Sequence, residues 1–310
     1  MSRLDLARVH LWRLPRLALP LLAFVLLVVR PAVSVESLPY GQGLLWRIEA
    51  PGGAVSHLFG TMHAADPRVA TPPAAVAGVL DAAESVTVEV IMTPAARRSL
   101  AAAMVLGEGR MLGEMVEPAL LQRAFDIGGR YGLQPWQMRA LAPWALATLF
   151  AVPPAEVDRR EAGAPILDDV LQDGAARRGL PLYGLESAAE QTAIFTDMSE
   201  ADQVALLRLA VDEHPRVGWW WEQLVEAYLA RDVAGYIALM LEQTAPEDRD
   251  LADRFLERLI DARNEIMVER MAPRLGEGGA LVAVGALHLP GERGILRLLE
   301  QRGHAILRVY

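Results

Sequence analysis

The 310-residue chain contains no cysteine. That excludes disulfides, thiolate zinc sites, iron–sulfur clusters, cysteine nucleophiles and a lipid-bearing lipoprotein cysteine. Lysine is also missing, and all 30 residues counted as Lys or Arg are arginine, a matter of codon usage rather than function. No basic run follows the N-terminus and the net charge is −9, which argues against a phosphate-tracking surface and against a nucleic-acid partner. Several familiar motifs are missing too. There is no His-Glu-x-x-His, no Gly-x-Ser-x-Gly, no Walker-type Gly-x-x-x-x-Gly-Lys and no Rossmann glycine pattern after a first strand. What is present is a chain with 53% hydrophobic and 22% charged residues, the balance of a protein that buries a core. Wholesale disorder and low-complexity repeats are excluded. At about 150 residues per domain, the length suits one large domain or two small ones.

The first 34 residues read as a targeting segment. Arg3, Arg8, Arg13 and Arg16 precede the uncharged stretch Leu17–Val29, 13 residues long. A membrane span needs about 20. A basic lead, a short apolar core and small residues at Ala32-Val33-Ser34 match a secretory signal. Leu11 and Trp12 lengthen the apolar zone, so an uncleaved anchor is the rival, with membrane proximity through the N-terminus. Both readings export the protein, as a periplasmic or secreted one. Residues 1–34 carry five Arg and one Asp, so the remainder stands at −13.

Residues 35–310 read as a single α/β domain. Leu44–Ile48 and Ser56–Gly60 form a hairpin around Pro51-Gly52-Gly53. A helix near Pro73–Ala83 and a β-branched strand Ser85–Val90 follow, which favours a parallel pair joined by a crossover. Residues 94–178 are mostly helical, Leu180–Leu185 is a short strand, and 188–275 is helical again. Trp219–Leu241 reads as one amphipathic segment and Leu251–Met271 as one long helix. The opening pattern then returns: a buried strand Ala280–Val284, a glycine loop, a helix near Gly294–Arg302 and a strand Ala305–Tyr310. The fold expected is a central, mostly parallel sheet built from two strand–GxxH–helix–strand units, with a large helical insertion between them.

Two matching motifs carry the chemistry, Gly60-Thr61-Met62-His63 and Gly285-Ala286-Leu287-His288. Each follows an apolar strand, so each histidine projects from a strand end. On open α/β sheets that is where ligands bind. A lone histidine there is most often structural; two in matching contexts point to a site. Neutral imidazole suits Zn, Mn, Co or Fe. Glu89 ends the apolar strand Val86–Val90, where a carboxylate is costly to bury unless paired or metal-bound. Its bland alternative is a salt bridge with an arginine. Glu186 holds the analogous place after Leu182–Leu185, with helix capping as its alternative. His63, Glu89, Glu186 and His288 thus make a candidate metal site of two histidines and one or two carboxylates. Arg263 and Asn264 either face this pocket, with Arg263 holding Glu89 or a substrate carbonyl oxygen, or lie on a solvated helix face. Asp66 is a turn residue or a partner of His63. His10, His57, His214 and His304 read as structural or surface residues, and Trp219-Trp220-Trp221 as packing or a membrane-proximal lid.

Leu58–His63, Thr87-Val88-Glu89, Gly184-Leu185-Glu186, Arg263-Asn264 and Val284–Gly291 together resemble the TraB/PrgY/GumN family, which includes the animal TIKI metalloproteases. The resemblance runs from about Leu44 to Tyr310. It implies an α/β fold related to erythromycin-esterase and ChaN-like proteins. It also implies a divalent-metal hydrolase, with His63, Glu89 and His288 at matching positions. The expectation is therefore an exported metallopeptidase using Mn, Co or Zn on a peptide or protein substrate. His63, His288 and Glu89 would be ligands, Glu186 a weaker one, Glu89 alternatively a base, and Arg263 an oxyanion donor. A non-catalytic envelope protein binding haem, metal or peptide in the same pocket is the alternative. Oligomeric state, substrate specificity and the choice of metal are left open by the sequence.

Overall fold

The computed structural model describes residues 38–107, 109–241 and 249–310. Residues 1–34, read from the sequence as a targeting segment, lie outside them, Leu17–Val29 included. Among the described residues no helix is long and apolar enough to cross a membrane.

Six strands form one sheet: β1 (Leu45–Glu49), β2 (Val55–Thr61), β3 (Ser85–Val90), β4 (Leu182–Glu186), β5 (Ala280–Gly285) and β6 (Ala305–Arg308). Their spatial order is β4-β3-β5-β2-β1-β6. The pairs β4–β3, β3–β5 and β5–β2 are parallel. β1 runs against both β2 and β6. The sheet is therefore mostly parallel, as the sequence suggests. The expected neighbours differ, however. β2 and β3 point the same way but do not pair, because β5 lies between them. The sequence of β5 supplies the reason. Ala-Leu-Val-Ala-Val-Gly has no polar side chain, every residue is buried, and such a strand needs partners on both edges and cover on both faces.

Alternation along the strands divides the core. Leu45, Phe59, Val86, Val88, Leu281 and Ala283 pack on one face, with Val76 and Leu80 of the helix Ala74–Ala82 and Leu167 and Leu171 of the helix Leu167–Arg178. Trp46, Leu58, Val282 and Val284 pack on the other face, against Met267, Val268 and Met271 of the helix Ala262–Glu277 and Ile295, Leu296 and Leu299 of the helix Ile295–Gln301. Because side chains alternate with a period of two, Glu89 points to the opposite face from Val88. That is the face on which Ala262–Glu277 lies.

Two expected helices differ in detail. Trp219–Leu241 is two helices, Val217–Leu229 and Val233–Leu241. The break falls at Arg231, with φ of 62°, and Asp232, whose Oδ1 accepts from the Gly235 N–H at 2.8 Å. An aspartate in that position starts a new helix instead of continuing the old one. The segment Leu251–Met271 is a helix Arg249–Leu256, a π turn Glu257–Asp261, and the helix Ala262–Glu277.

His214 is structural, as expected, and deeply so. Its Nε2 lies 2.9 Å from the Tyr131 hydroxyl, which itself donates to the Val152 carbonyl at 2.6 Å. Burial, with Arg130 adding to it, pushes its pKa from 6.5 down to about 4. Between those values the unfolded chain takes up the proton first, so acid favours unfolding. The thermal midpoint is expected to fall as pH drops from 6.5 to 4, and His214→Gln to flatten that fall. Parallel pH–midpoint curves for the two proteins would remove His214 from the explanation.

Candidate functional site

Strand register builds the site. β2 pairs with β5 so that Gly60 lies beside Val284 and Thr61 beside Gly285. β3 pairs with β5 through Val88 and Ala283, and with β4 through Val90 and Glu186. The two Gly-x-x-His loops, Glu89 and Glu186 therefore emerge at one level, at the C-terminal ends of four adjacent parallel strands. The first motif glycine has a packing reason. A Cβ on Gly60 would lie 2.7 Å from Leu289 Cδ1 and 3.0 Å from Ala286 Cα, so the second loop rests directly on the first. Gly60→Ala is expected to cost about 1–3 kcal/mol by overpacking, read as a lowered urea midpoint. An unchanged midpoint would mean that the loops are not in contact.

Arg263 is the hub. The π turn ends just before its helix begins, and π turns recur at functional sites. The side chain is 4% exposed and Asn264 is wholly buried, so neither lies on a solvated face. Nη2 donates to Glu89 Oε2 and Glu186 Oε2, each at 2.7 Å, and Nε donates to Glu186 Oε1 at 2.9 Å. Nη1 donates to the Leu259 carbonyl, inside the π turn, at 2.7 Å and faces His288 Nε2 at 3.2 Å. The guanidinium is thus engaged on every nitrogen, and it holds Glu89, one of the two roles that the sequence suggests for it. It also binds both oxygens of Glu186, its second carboxylate partner. Gln191 bridges the two carboxylates at 3.2 Å to each.

The remaining groups have defined states. Burial alone would raise the Glu89 pKa, but Arg263, His288, His63 and the Gly285 N–H together pull it down to about 2. The Gly285 N–H donates to Oε1 at 2.5 Å. Burial, reinforced by Arg263, lowers His288 to about 3, so it is neutral at physiological pH. Its Nδ1 lies 2.6 Å from Asn264 Oδ1. Asn264 Nδ2 donates to the Arg293 carbonyl at 2.8 Å, which fixes the amide and makes His288 Nδ1 the donor. His288 Nε2 is left as a lone pair, 3.8 Å from Glu89 Oε1. His63 behaves differently. Burial opposes its protonation, but the Asp168 carboxylate 2.8 Å from Nδ1 more than offsets this and raises its pKa. His63 Nε2 is buried and has no hydrogen-bond partner among the described residues.

These donors meet a metal's needs in part. Among the described residues no three His, Asp or Glu side chains stand together as a ready cage; the Arg263 guanidinium is drawn in against Glu89 and His288. Yet His63 Nε2 is a buried ring nitrogen without a partner among the described residues, His288 is neutral, and both rings have Nδ1 held by a neighbour, the arrangement usual for metal-ligating histidine. One guanidinium between two buried carboxylates leaves one formal negative charge. His63, His288 and Glu89 fit a divalent cation in kind; Glu186 is a carboxylate too, but it meets Arg263 through both Nε and Nη2. Beside His63 lies a cavity of about 30 Å³ lined by Thr61, Met62, Trp221, Tyr228, Tyr236 and the loop Gly285–Leu287. It has room for an ion or a water.

Sequence reasoning missed Asp168, Gln191 and the clamp on the His63 loop. Glu156, wholly buried, accepts from the Ala65 N–H at 2.5 Å and from Arg160, and Arg160 donates to the His63 carbonyl. Tyr228 donates to the Gly60 carbonyl at 2.9 Å. Asp66 caps the short helix Pro67–Ala70, its oxygens accepting from the backbone and side chain of Arg68. Trp220 and Trp221 are buried and Trp219 is exposed, so packing explains two of the three. The only local hint of Asp168 was an acidic pair opening a helix, which fits the helix dipole just as well.

The model of the TraB/PrgY/gumN family matches residues 44–308. No curated protein and no solved structure matches the chain.

Proposed function

The chain belongs to the TraB/PrgY/gumN family, and from that premise we propose that it is an exported, divalent-metal-dependent hydrolase acting on peptide bonds. The observation that carries the proposal is the pair of Gly-x-x-His histidines at adjacent strand ends, each with Nδ1 held by a neighbour and His63 Nε2 buried without a partner. His63, His288 and Glu89 would hold the ion. When bound, it would supply a water of lowered pKa and polarise a carbonyl.

The chain's own residues do the rest. Arg263 keeps Glu89 ionised and His288 neutral. With a pKa near 2, Glu89 is a weak base at neutral pH, which supports a ligand role over a base role. Gly285 and Gln191 orient its carboxylate. Asn264 orients His288. The 30 Å³ cavity beside His63 has room for a small ion. The likeness to the TIKI metalloproteases supports a peptide substrate. The basic and apolar opening, Arg3 to Val29, supports export, with cleavage near Ala32–Ser34 or retention as an anchor.

The experiment is metal analysis of the purified protein, followed by a peptide-library digest with and without chelator. Chelator-sensitive cleavage restored by Mn, Co or Zn supports the proposal. Cleavage indifferent to chelator would refute the metal dependence, and metal uptake with no cleavage of any peptide would refute the peptidase.

A further inference from the structure

The two histidines of the site reach it by different supports. His288 is oriented by a neutral amide on the same side of the sheet. His63 is oriented by a carboxylate 105 positions away in sequence, on the helix Leu167–Arg178 of the opposite layer. Asp168 is 6% exposed. Its Oδ2 lies 2.8 Å from His63 Nδ1, and its Oδ1 accepts from the Thr61 hydroxyl at 3.0 Å. Thr61 is the last residue of β2, so the carboxylate is tied to the strand and to the ring just beyond its end. Both oxygens are thereby assigned, and the carboxylate cannot rotate without breaking one bond. The helix Pro154–Glu161 holds the same loop by its backbone, through Arg160 on the His63 carbonyl and Glu156 on the Ala65 N–H.

A carboxylate only accepts. The nitrogen facing it must carry the proton, and the other ring nitrogen of neutral His63 must then carry the lone pair. That other nitrogen is the buried Nε2 without a partner. We propose that Asp168 is a positioning residue that holds His63 in the Nδ1–H tautomer and presents its Nε2 lone pair to the site, with Thr61 setting the carboxylate. The inference rests on the proposed role of His63 as a ligand, but the tautomer can be read without any metal. It gives the helical insertion a task in the site: it supplies the group that decides which nitrogen of His63 is available.

Asp168→Asn tests it. The amide keeps the size of the carboxylate and can turn an N–H toward Nδ1, which would force the proton onto Nε2, as happens when the aspartate of a serine-protease triad becomes asparagine. The readout is ¹⁵N NMR of ring-labelled histidines in the full chain at alkaline pH, with His63 assigned by comparison with His63→Gln. Zn²⁺ titration by calorimetry is then carried out on the same samples. The wild type is expected to show Nδ1–H at His63, and Asp168→Asn to show Nε2–H with Zn²⁺ affinity down about 10–100-fold. Asp168→Ala removes the acceptor altogether and also stands in if Asp168→Asn does not fold; in it His63 is expected to lose its Nδ1–H preference and to bind Zn²⁺ more weakly. A flipped tautomer in a protein whose wild type binds no Zn²⁺ would uphold the inference and sink the metal reading. An Nε2–H tautomer at His63 in the wild type, or a full Nδ1–H preference kept in Asp168→Ala, would overturn the inference whatever the metal does.

Discussion

Arg263→Met is expected to be the most destabilising single change in the site. It leaves Glu89 and Glu186, 3% and 8% exposed, facing each other across Gln191 with no cation. Breaking a buried pair from one side costs about 3–5 kcal/mol, and here one side serves two carboxylates and the Leu259 carbonyl. The sign of the pH dependence can be worked out from the charges. With Arg263 gone, the Glu89 pKa rises, because the cation that holds it near 2 is removed while burial remains. Glu89 then protonates in milder acid than in the wild type, its repulsion with Glu186 fades, and the gap to the wild type narrows as pH falls. Urea unfolding at neutral and mildly acidic pH measures both effects. A neutral-pH loss under about 1 kcal/mol, usual for a surface position, would show that Arg263 is not the hub. If Arg263→Met gives no folded protein, Arg263→Lys retains the charge without the fork, and an intermediate loss is expected from it.

Glu89→Gln is expected to have the largest effect on activity at little change in shape. The amide oxygen can still accept from the Gly285 N–H. The amide nitrogen cannot accept from Arg263, and the negative charge is lost. Metal affinity and turnover should fall together, turnover by about 10²–10⁴-fold. Were Glu89 a base and not a ligand, turnover would fall with metal content intact, so metal content and peptide hydrolysis on the same sample separate the roles. The pH–rate profile adds a check. Glu89 stays ionised far below neutrality, so an acid limb near neutral pH belongs to His63, whose pKa Asp168 raises. Such a limb should move to lower pH in Asp168→Asn. A limb that stays in place would assign it to another group.

Much of the fold and the site was legible in the sequence because the relevant signals are local. An apolar strand with Gly-x-x-His at its end can be read at Leu58–His63 and again at Val284–His288. A glutamate closing an otherwise apolar strand can be read at Glu89. The order of the strands could not be read. Nothing within Ala280–Gly285 says that it enters between β2 and β3, although its lack of polar side chains says that it must be central. Arg263 was ambiguous for a similar reason. Helical spacing gives a face, but the π turn at Glu257–Asp261 rotates the helix Ala262–Glu277 relative to the turns before it, and which face is buried depends on the sheet beneath. Asp168 was invisible because its partner lies in another layer, and an acidic residue at the start of a helix already has a sufficient local explanation. The break at Asp232 was readable in principle, since aspartate starts helices, but the amphipathic pattern ran on through it.

The central claim is that His63 and His288, brought together by the β2–β5 register, share one divalent ion with Glu89. Both stand at strand ends and neither belongs to the apolar core, so the His63→Ala, His288→Ala double variant should stay folded. The most direct measurement is calorimetric titration of the metal-free wild type and of this double variant with Mn²⁺, Co²⁺ and Zn²⁺. One equivalent bound by the wild type and none by the folded double variant is the expected result. Equal binding by the two proteins would contradict the account.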